Sequence, residues 1–213
     1  MNTTDRLEEY ISAHIDPEDP LLYEMTRFAH VHLLHPRMLS GHLQGTLMKM
    51  MMRMINPRTV LEIGTYTGYS TLSMAAGLTR PDAHIHTVEI DDEMQPVIER
   101  FFRRSEHAHR ITLHIGDVAD VIGRIEGNFD FVFMDGNKRN YTDYYDLVMP
   151  RLNAGGFILA DNILWDGKVV EPVAPADGQT QGIVRFNDMV AADPRVEKVI
   201  LPIRDGLMLI RKK

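Results

Sequence analysis

The sequence predicts an α/β fold: a seven-stranded, mostly parallel sheet with helices on both faces, the last strand antiparallel, and extra helices at the N-terminus. Three observations carry this. From position 59 onward, short apolar runs alternate with amphipathic segments. The runs are continuously apolar, as in strands covered on both faces. The final two runs lie too close together for a parallel crossover, so the last strand returns as a hairpin.

Taken in order, residues 1–56 read as helices. Segments 20–34 and 40–55 carry apolar residues at helical spacing, with Ser40 as a cap for the second. Strands follow at 59–64, 84–90, 111–116, 129–135 and 155–161, separated by helices near 69–78, 92–104, 117–126 and 140–152. A further helix near 180–192 precedes strands at 196–203 and 206–212, joined through Arg204 and Asp205. The longest irregular stretch is 165–181, rich in Pro, Gly and Asp, and reads as a lid. The whole is one domain, 1–213, with a helical cap (1–56) on a core (57–213).

Composition narrows the function. The chain has 213 residues, 44% hydrophobic and 25% charged, with a formal net charge of −7. That charge disfavours a broad nucleic-acid surface. There is no cysteine, which excludes disulfides, thiolate metal sites and cysteine nucleophiles. The first ten residues are acidic and lack an apolar run, and no run approaches membrane-spanning length, so a cytoplasmic location is expected.

The stretch Glu62-Ile63-Gly64-Thr65-Tyr66-Thr67-Gly68-Tyr69-Ser70 leaves the first strand and enters a helix. Gly64 and Gly68 permit either a plain tight turn or a cradle lying close against a ligand. Glu89 ends the second strand, 25 positions after Gly64, and a carboxylate there suits a ribose diol. Asp117, after the third strand, is open to two roles: accepting from an adenine amino group, or capping a helix.

Asp135 ends the fourth strand; Asp161 and Asn162 end the fifth. Neighbouring strands run roughly 5 Å apart, so these oxygens can converge at the sheet's rim. Two carboxylates and an amide oxygen suit a hard cation, Mg²⁺ first and Mn²⁺ or Ca²⁺ next. Lys138 follows Asp135 by one turn, and an amine beside such a cation can take a proton from an acceptor hydroxyl.

At this point the chain resembles a known family, the class I, S-adenosylmethionine (SAM)-dependent and metal-dependent O-methyltransferases of the caffeoyl-coenzyme A and catechol type. "VLEIGTYTGYS", "VEI", "FMDGNKRNY", "ADNILWDGKV" and "GLMLIRK" look like successive blocks of that family. The resemblance implies a Rossmann-like core, SAM and a divalent cation as cofactors, and a homodimer. It implies Asp135, Asp161 and Asn162 as metal ligands and Lys138 as general base. Cofactor contacts would come from Glu62, Gly64, Thr65, Tyr66 and Gly68, with Ser70 at the methionine carboxylate. Glu89 would take the ribose, Asp117 would lie near adenine, and Asp135 near the methionine amine. Met38 and Gln44 look like the segment beneath cofactor and acceptor. The acceptor implied is a small vicinal dihydroxy aromatic. The alternative is 5-hydroxyuridine in transfer RNA, which relatives methylate and which the net charge disfavours. The N-terminal region offers no clear basic site for a coenzyme A phosphate.

Trp165 has two roles open to it, stacking on an aryl acceptor or anchoring its loop. His30, His32 and His35 do not match zinc spacing, and the methionine run 48–54 reads as core or subunit interface. A dehydrogenase is disfavoured because the glycines are spaced G-x-x-x-G, and the intact acid–lysine set argues against a binding protein without catalysis.

Overall fold

The structure, a computed structural model, describes residues 3–213; for residues 3–5 and 8 it describes only the backbone. Three helices come first: α1 (Thr3–Ala13), α2 (Pro20–His32) and α3 (Gly41–Ile55). Asp19 caps α2 through Leu21 N at 2.8 Å, with Pro20 at the first helical position. Ser40 precedes α3 but does not cap it. Its backbone is already helical, and no side-chain capping bond forms.

Seven strands and five helices follow: β1 (Thr59–Ile63), α4 (Tyr69–Ala75), β2 (His84–Glu89), α5 (Gln95–Phe102), β3 (Ile111–Ile115), α6 (Val118–Val121), β4 (Phe129–Met134), α7 (Tyr141–Val148), β5 (Leu152–Asp161), α8 (Gly178–Ala192), β6 (Val196–Leu201) and β7 (Leu207–Lys212). The sheet order is β3-β2-β1-β4-β5-β7-β6. Only β7 runs against its neighbours, pairing antiparallel with both β5 and β6. Strand order reverses between β1 and β4, which are paired parallel, and the carboxyl ends at such a reversal are where open α/β sheets bind ligands.

Several boundaries differ from expectation. Gly64, Ile90, Gly116 and Asp135 fall just beyond their strands, and β5 begins earlier, at Leu152. The α6 region is shorter than 117–126 because the helix tightens into a 3-10 turn at Ile122–Arg124. The hairpin connection spans 202–206, with Arg204 and Gly206 at positive φ. In the stretch 165–181, two short 3-10 turns within Trp165–Val170 are broken by a left-handed kink at Asp166 and Gly167, and α8, capped by Asp177, starts at Gly178.

Strand β4 shows why its apolar run is unbroken. Val132 and Met134 enter one core with Tyr141, Tyr145 and Phe186; Phe131 and Phe133 enter another with Met48, Met52 and Leu159. Each such buried side chain contributes about 1.5–3 kcal/mol. The methionine run divides likewise, with Met48, Met51 and Met52 buried and Met50 and Met54 exposed. Among the described residues, no helix is long and apolar enough to cross a membrane.

Candidate active site

The loop from β1 into α4 is built on positive φ angles at Gly64 (96°), Tyr66 (53°) and Gly68 (88°). Gly64 cannot bear a side chain: a Cβ would stand 2.5 Å from the Asp135 carbonyl oxygen. That close approach joins the tips of β1 and β4. Glu89 stabilises the loop from β2. One carboxylate oxygen accepts from the backbone N–H of Thr65 (3.1 Å) and Tyr66 (2.7 Å), the other from Asp91 N–H (2.9 Å).

Glu62 and Ser70 are both buried, one beneath the loop and one in the first turn of α4. Glu62 is fully buried beneath the loop and accepts hydroxyl protons from Ser70 (2.5 Å), Thr71 and Thr87 (2.6 Å). Burial pushes its carboxyl up to about 7, against those donors. It supports the cradle from below rather than lining it. The Ser70 hydroxyl proton is spent on Glu62, so the first-turn amides of α4 are the donors left for an anion. Thr65 is also buried, its hydroxyl paired with Thr87 at 2.6 Å. Asp117 takes its capping role, accepting from Ala119 N at 2.8 Å.

At the tips of β4 and β5, Asp135 meets the expected amine, while the Asp161 carboxylate pairs with Gln44 and Asn162. Lys138, almost wholly buried, donates to Asp135 Oδ1 at 2.5 Å and to the Tyr141 hydroxyl at 2.7 Å. Tyr141 lies within 3.1 Å of the Met134 carbonyl and 2.9 Å of the Asp161 carbonyl, so it ties both strand tips to the lysine. Burial raises the Asp135 carboxyl to about 6; Lys138 pulls it down, Asp161 pushes it up, and Arg204 adds a smaller downward pull. Gln44 Nε2 donates to Asp161 Oδ2 at 2.6 Å, and Gln44 Oε1 is buried without a partner. Asn162 N–H donates to Asp161 Oδ1 at 2.7 Å. Its amide nitrogen is committed to Asp205 Oδ2 at 3.3 Å, so the amide oxygen is the end left for a ligand.

Every donor in this set is oxygen, which matches a hard cation, and the unpaired Gln44 oxygen adds an unmet acceptor beside it. Among the described residues, no group of three or more acids and histidines is placed to hold a metal. Met38 is exposed, in the 3-10 turn Pro36–Met38. Trp165 packs partly buried against the core, its anchoring role, with φ at 48°. The sequence reading took Arg204 and Asp205 only as a hairpin link and gave Tyr141 no role at the site. The only available signal was Tyr141 standing one helical turn after Lys138 in "NKRNY".

A seven-stranded sheet in the order 3-2-1-4-5-7-6 with one reversed strand, and a glycine-bounded loop clamped by an acid at the tip of β2, define a class I methyltransferase fold. The chain matches the O-methyltransferase family model over residues 9–213, and it belongs to that family. A caffeoyl-CoA O-methyltransferase from Petroselinum crispum is 32% identical, covering 98% of this chain and 91% of the relative. Among solved structures, the S-adenosylhomocysteine (SAH)-bound methyltransferase PaMTH1 of Podospora anserina superposes with a TM-score of 0.90 at 30% identity, over 99% of this chain and 95% of that one. The SAM-bound O-methyltransferase TomG of Streptomyces achromogenes, which acts in tomaymycin synthesis, gives 0.91 at 26% identity over 100% of both chains.

Proposed function

We propose that the protein transfers a methyl group from SAM to one hydroxyl of a small vicinal dihydroxy aromatic, with a divalent cation, Mg²⁺ first, as second cofactor. The observation that supports this best is the contact between Lys138 and Asp135 at the rim, with Asp161 alongside. SAM supplies a methyl already activated by its sulfonium, and the cation makes a chelated hydroxyl more acidic. Asp135, Asp161 and Asn162 would hold the cation. Glu89 takes the ribose hydroxyls and the α4 N-terminus the methionine carboxylate. Lys138 takes the acceptor proton; the methyl bonds to the acceptor oxygen, the carbon–sulfur bond breaks, and SAH leaves. Tyr141 keeps the lysine aimed. An acceptor with two adjacent hydroxyls offers the cation one more oxygen than a lone phenol does.

The test is transfer of labelled methyl to 3,4-dihydroxybenzoate, with transfer RNA as a parallel acceptor, with and without EDTA. The expected result is methylation of the diol alone, abolished by EDTA and by Asp161→Ala. Activity that survives both treatments, or that favours transfer RNA, would overturn the reading.

A further inference from the structure

The connection between β6 and β7 does more than turn the chain. Arg204 stands there at φ 52°, a backbone conformation uncommon for L side chains. Its guanidinium reaches across to the N-terminal segment. Nη1 donates to the Leu39 carbonyl (2.7 Å) and the Ser40 carbonyl, and Nη2 to the Arg37 carbonyl (3.4 Å). These carbonyls flank Met38 and lead directly into α3, which carries Gln44. Two carbonyls meet Nη1 and the third meets Nη2, so the contact spans both prongs of the guanidinium; a lysine has three donors but only one nitrogen, on a shorter reach.

The neighbouring residue reaches the opposite way. The Asp205 carboxylate accepts from Asn162 Nδ2 (3.3 Å) and from the Asp166 backbone N–H, and its carbonyl accepts from Leu164 N–H (3.0 Å). Those bonds fix the segment that carries Asn162 and Trp165. The turn itself needs neither arm, since Gly206 N–H to the Ile203 carbonyl at 2.9 Å closes it. The cradle residues Gly64, Gly68 and Glu89 take no part in either set; Tyr66 alone comes near, its hydroxyl donating to the His35 carbonyl at 3.1 Å, outside the three carbonyls that Arg204 holds.

We propose that Arg204 and Asp205 are positioning residues forming a two-armed clamp, one arm on the Met38–Gln44 wall and one on the Asn162–Trp165 wall, that sets the width of the acceptor mouth with no bond to Gly64, Gly68 or Glu89 of the cofactor cradle. The acceptor part rests on the function proposed above; the clamp itself does not.

The experiment uses the full chain loaded with SAH. Arg204→Gly removes the arm while keeping a residue that tolerates the left-handed φ; Arg204→Lys keeps the charge without the fork; Asp205→Asn weakens the other arm. Hydrogen exchange should rise about tenfold at residues 36–44 in Arg204→Gly and at 162–166 in Asp205→Asn, each without the other and with β1 unchanged. With 3,4-dihydroxybenzoate as probe, KM should rise about tenfold in Arg204→Gly while kcat stays within about threefold and the SAH Kd within about twofold. Arg204→Lys should not restore KM. Unchanged exchange at 36–44 in both Arg204 variants would overturn the clamp. So would a rise in the SAH Kd matching that in KM. If wild type does not methylate the probe, the acceptor reading fails, and the exchange pattern still decides the clamp.

Discussion

Gln44 Nε2 lies 2.6 Å from Asp161 Oδ2, joining residues 117 positions apart, and the Gln44 side chain is fully buried. This bond ties the N-terminal helices to the tip of β5. Gln44→Leu would leave the Asp161 oxygen buried without that partner, which costs about 1–3 kcal/mol. Urea denaturation should show that loss, accompanied by a drop in kcat/KM. A variant with wild-type stability and turnover would show that the bond matters to neither.

Lys138 is placed to take the acceptor proton, and general-base catalysis is worth about 10²–10⁴-fold. Lys138→Met should therefore lower kcat by that order while SAH binding, measured by calorimetry, stays intact. Tyr141→Phe removes only the oxygen 2.7 Å from Nζ and should lower kcat about tenfold with little change in acceptor KM. If Tyr141→Phe turned over at the wild-type rate, the hydroxyl would have no part in aiming the lysine.

Much of this site was legible in the sequence because its chemistry sits at strand ends. An apolar run stopping on Asp135 or Asp161 states both the strand and the direction of delivery, and the glycines at 64 and 68 mark the turn between β1 and α4. What stayed hidden depends on contacts between distant parts of the chain. Arg204 reaches carbonyls more than 160 positions away, and backbone acceptors carry no sequence signature. The Ser40 cap failed because local preference yielded to a chain path already helical at that residue. The hydroxyls of Ser70, Thr71 and Thr87 that converge on buried Glu62 come from two separate elements, and nothing in their spacing announces that they meet.

Gly182 offers a purely steric prediction. A Cβ there would stand 2.3 Å from the Lys138 carbonyl oxygen and 2.8 Å from Arg139 Cα, because α8 lies directly on the lysine segment. Backbone cannot swing aside as a side-chain tip can. Gly182→Ala should cost about 1–3 kcal/mol in thermal or urea unfolding and lower kcat by displacing Lys138. Unaltered stability and kcat would mean that α8 accommodates the methyl without shifting the lysine.

The outer strands hold a pH-dependent element. His86 Nδ1 and His114 Nε2 are 3.1 Å apart, and the His84 and His86 rings are 4.9 Å apart. Burial first, then the neighbouring His84 and His114, lowers His86 from 6.5 to about 4. His109 and Arg124 add positive charge beside the same cluster, acting on His84 and His114 respectively. Below about 6.5 the unfolded chain takes up a proton at this position that the folded chain refuses until about 4. Stability contributed by neutral His86 is therefore complete above 6.5, falls as pH drops through this window, and changes no further below about 4. His86→Gln keeps a hydrogen-bonding side chain and removes the titration. Its urea midpoint should decline less than the wild-type midpoint between about pH 7.5 and pH 5. Equal declines in the two proteins would assign the acid sensitivity to other groups.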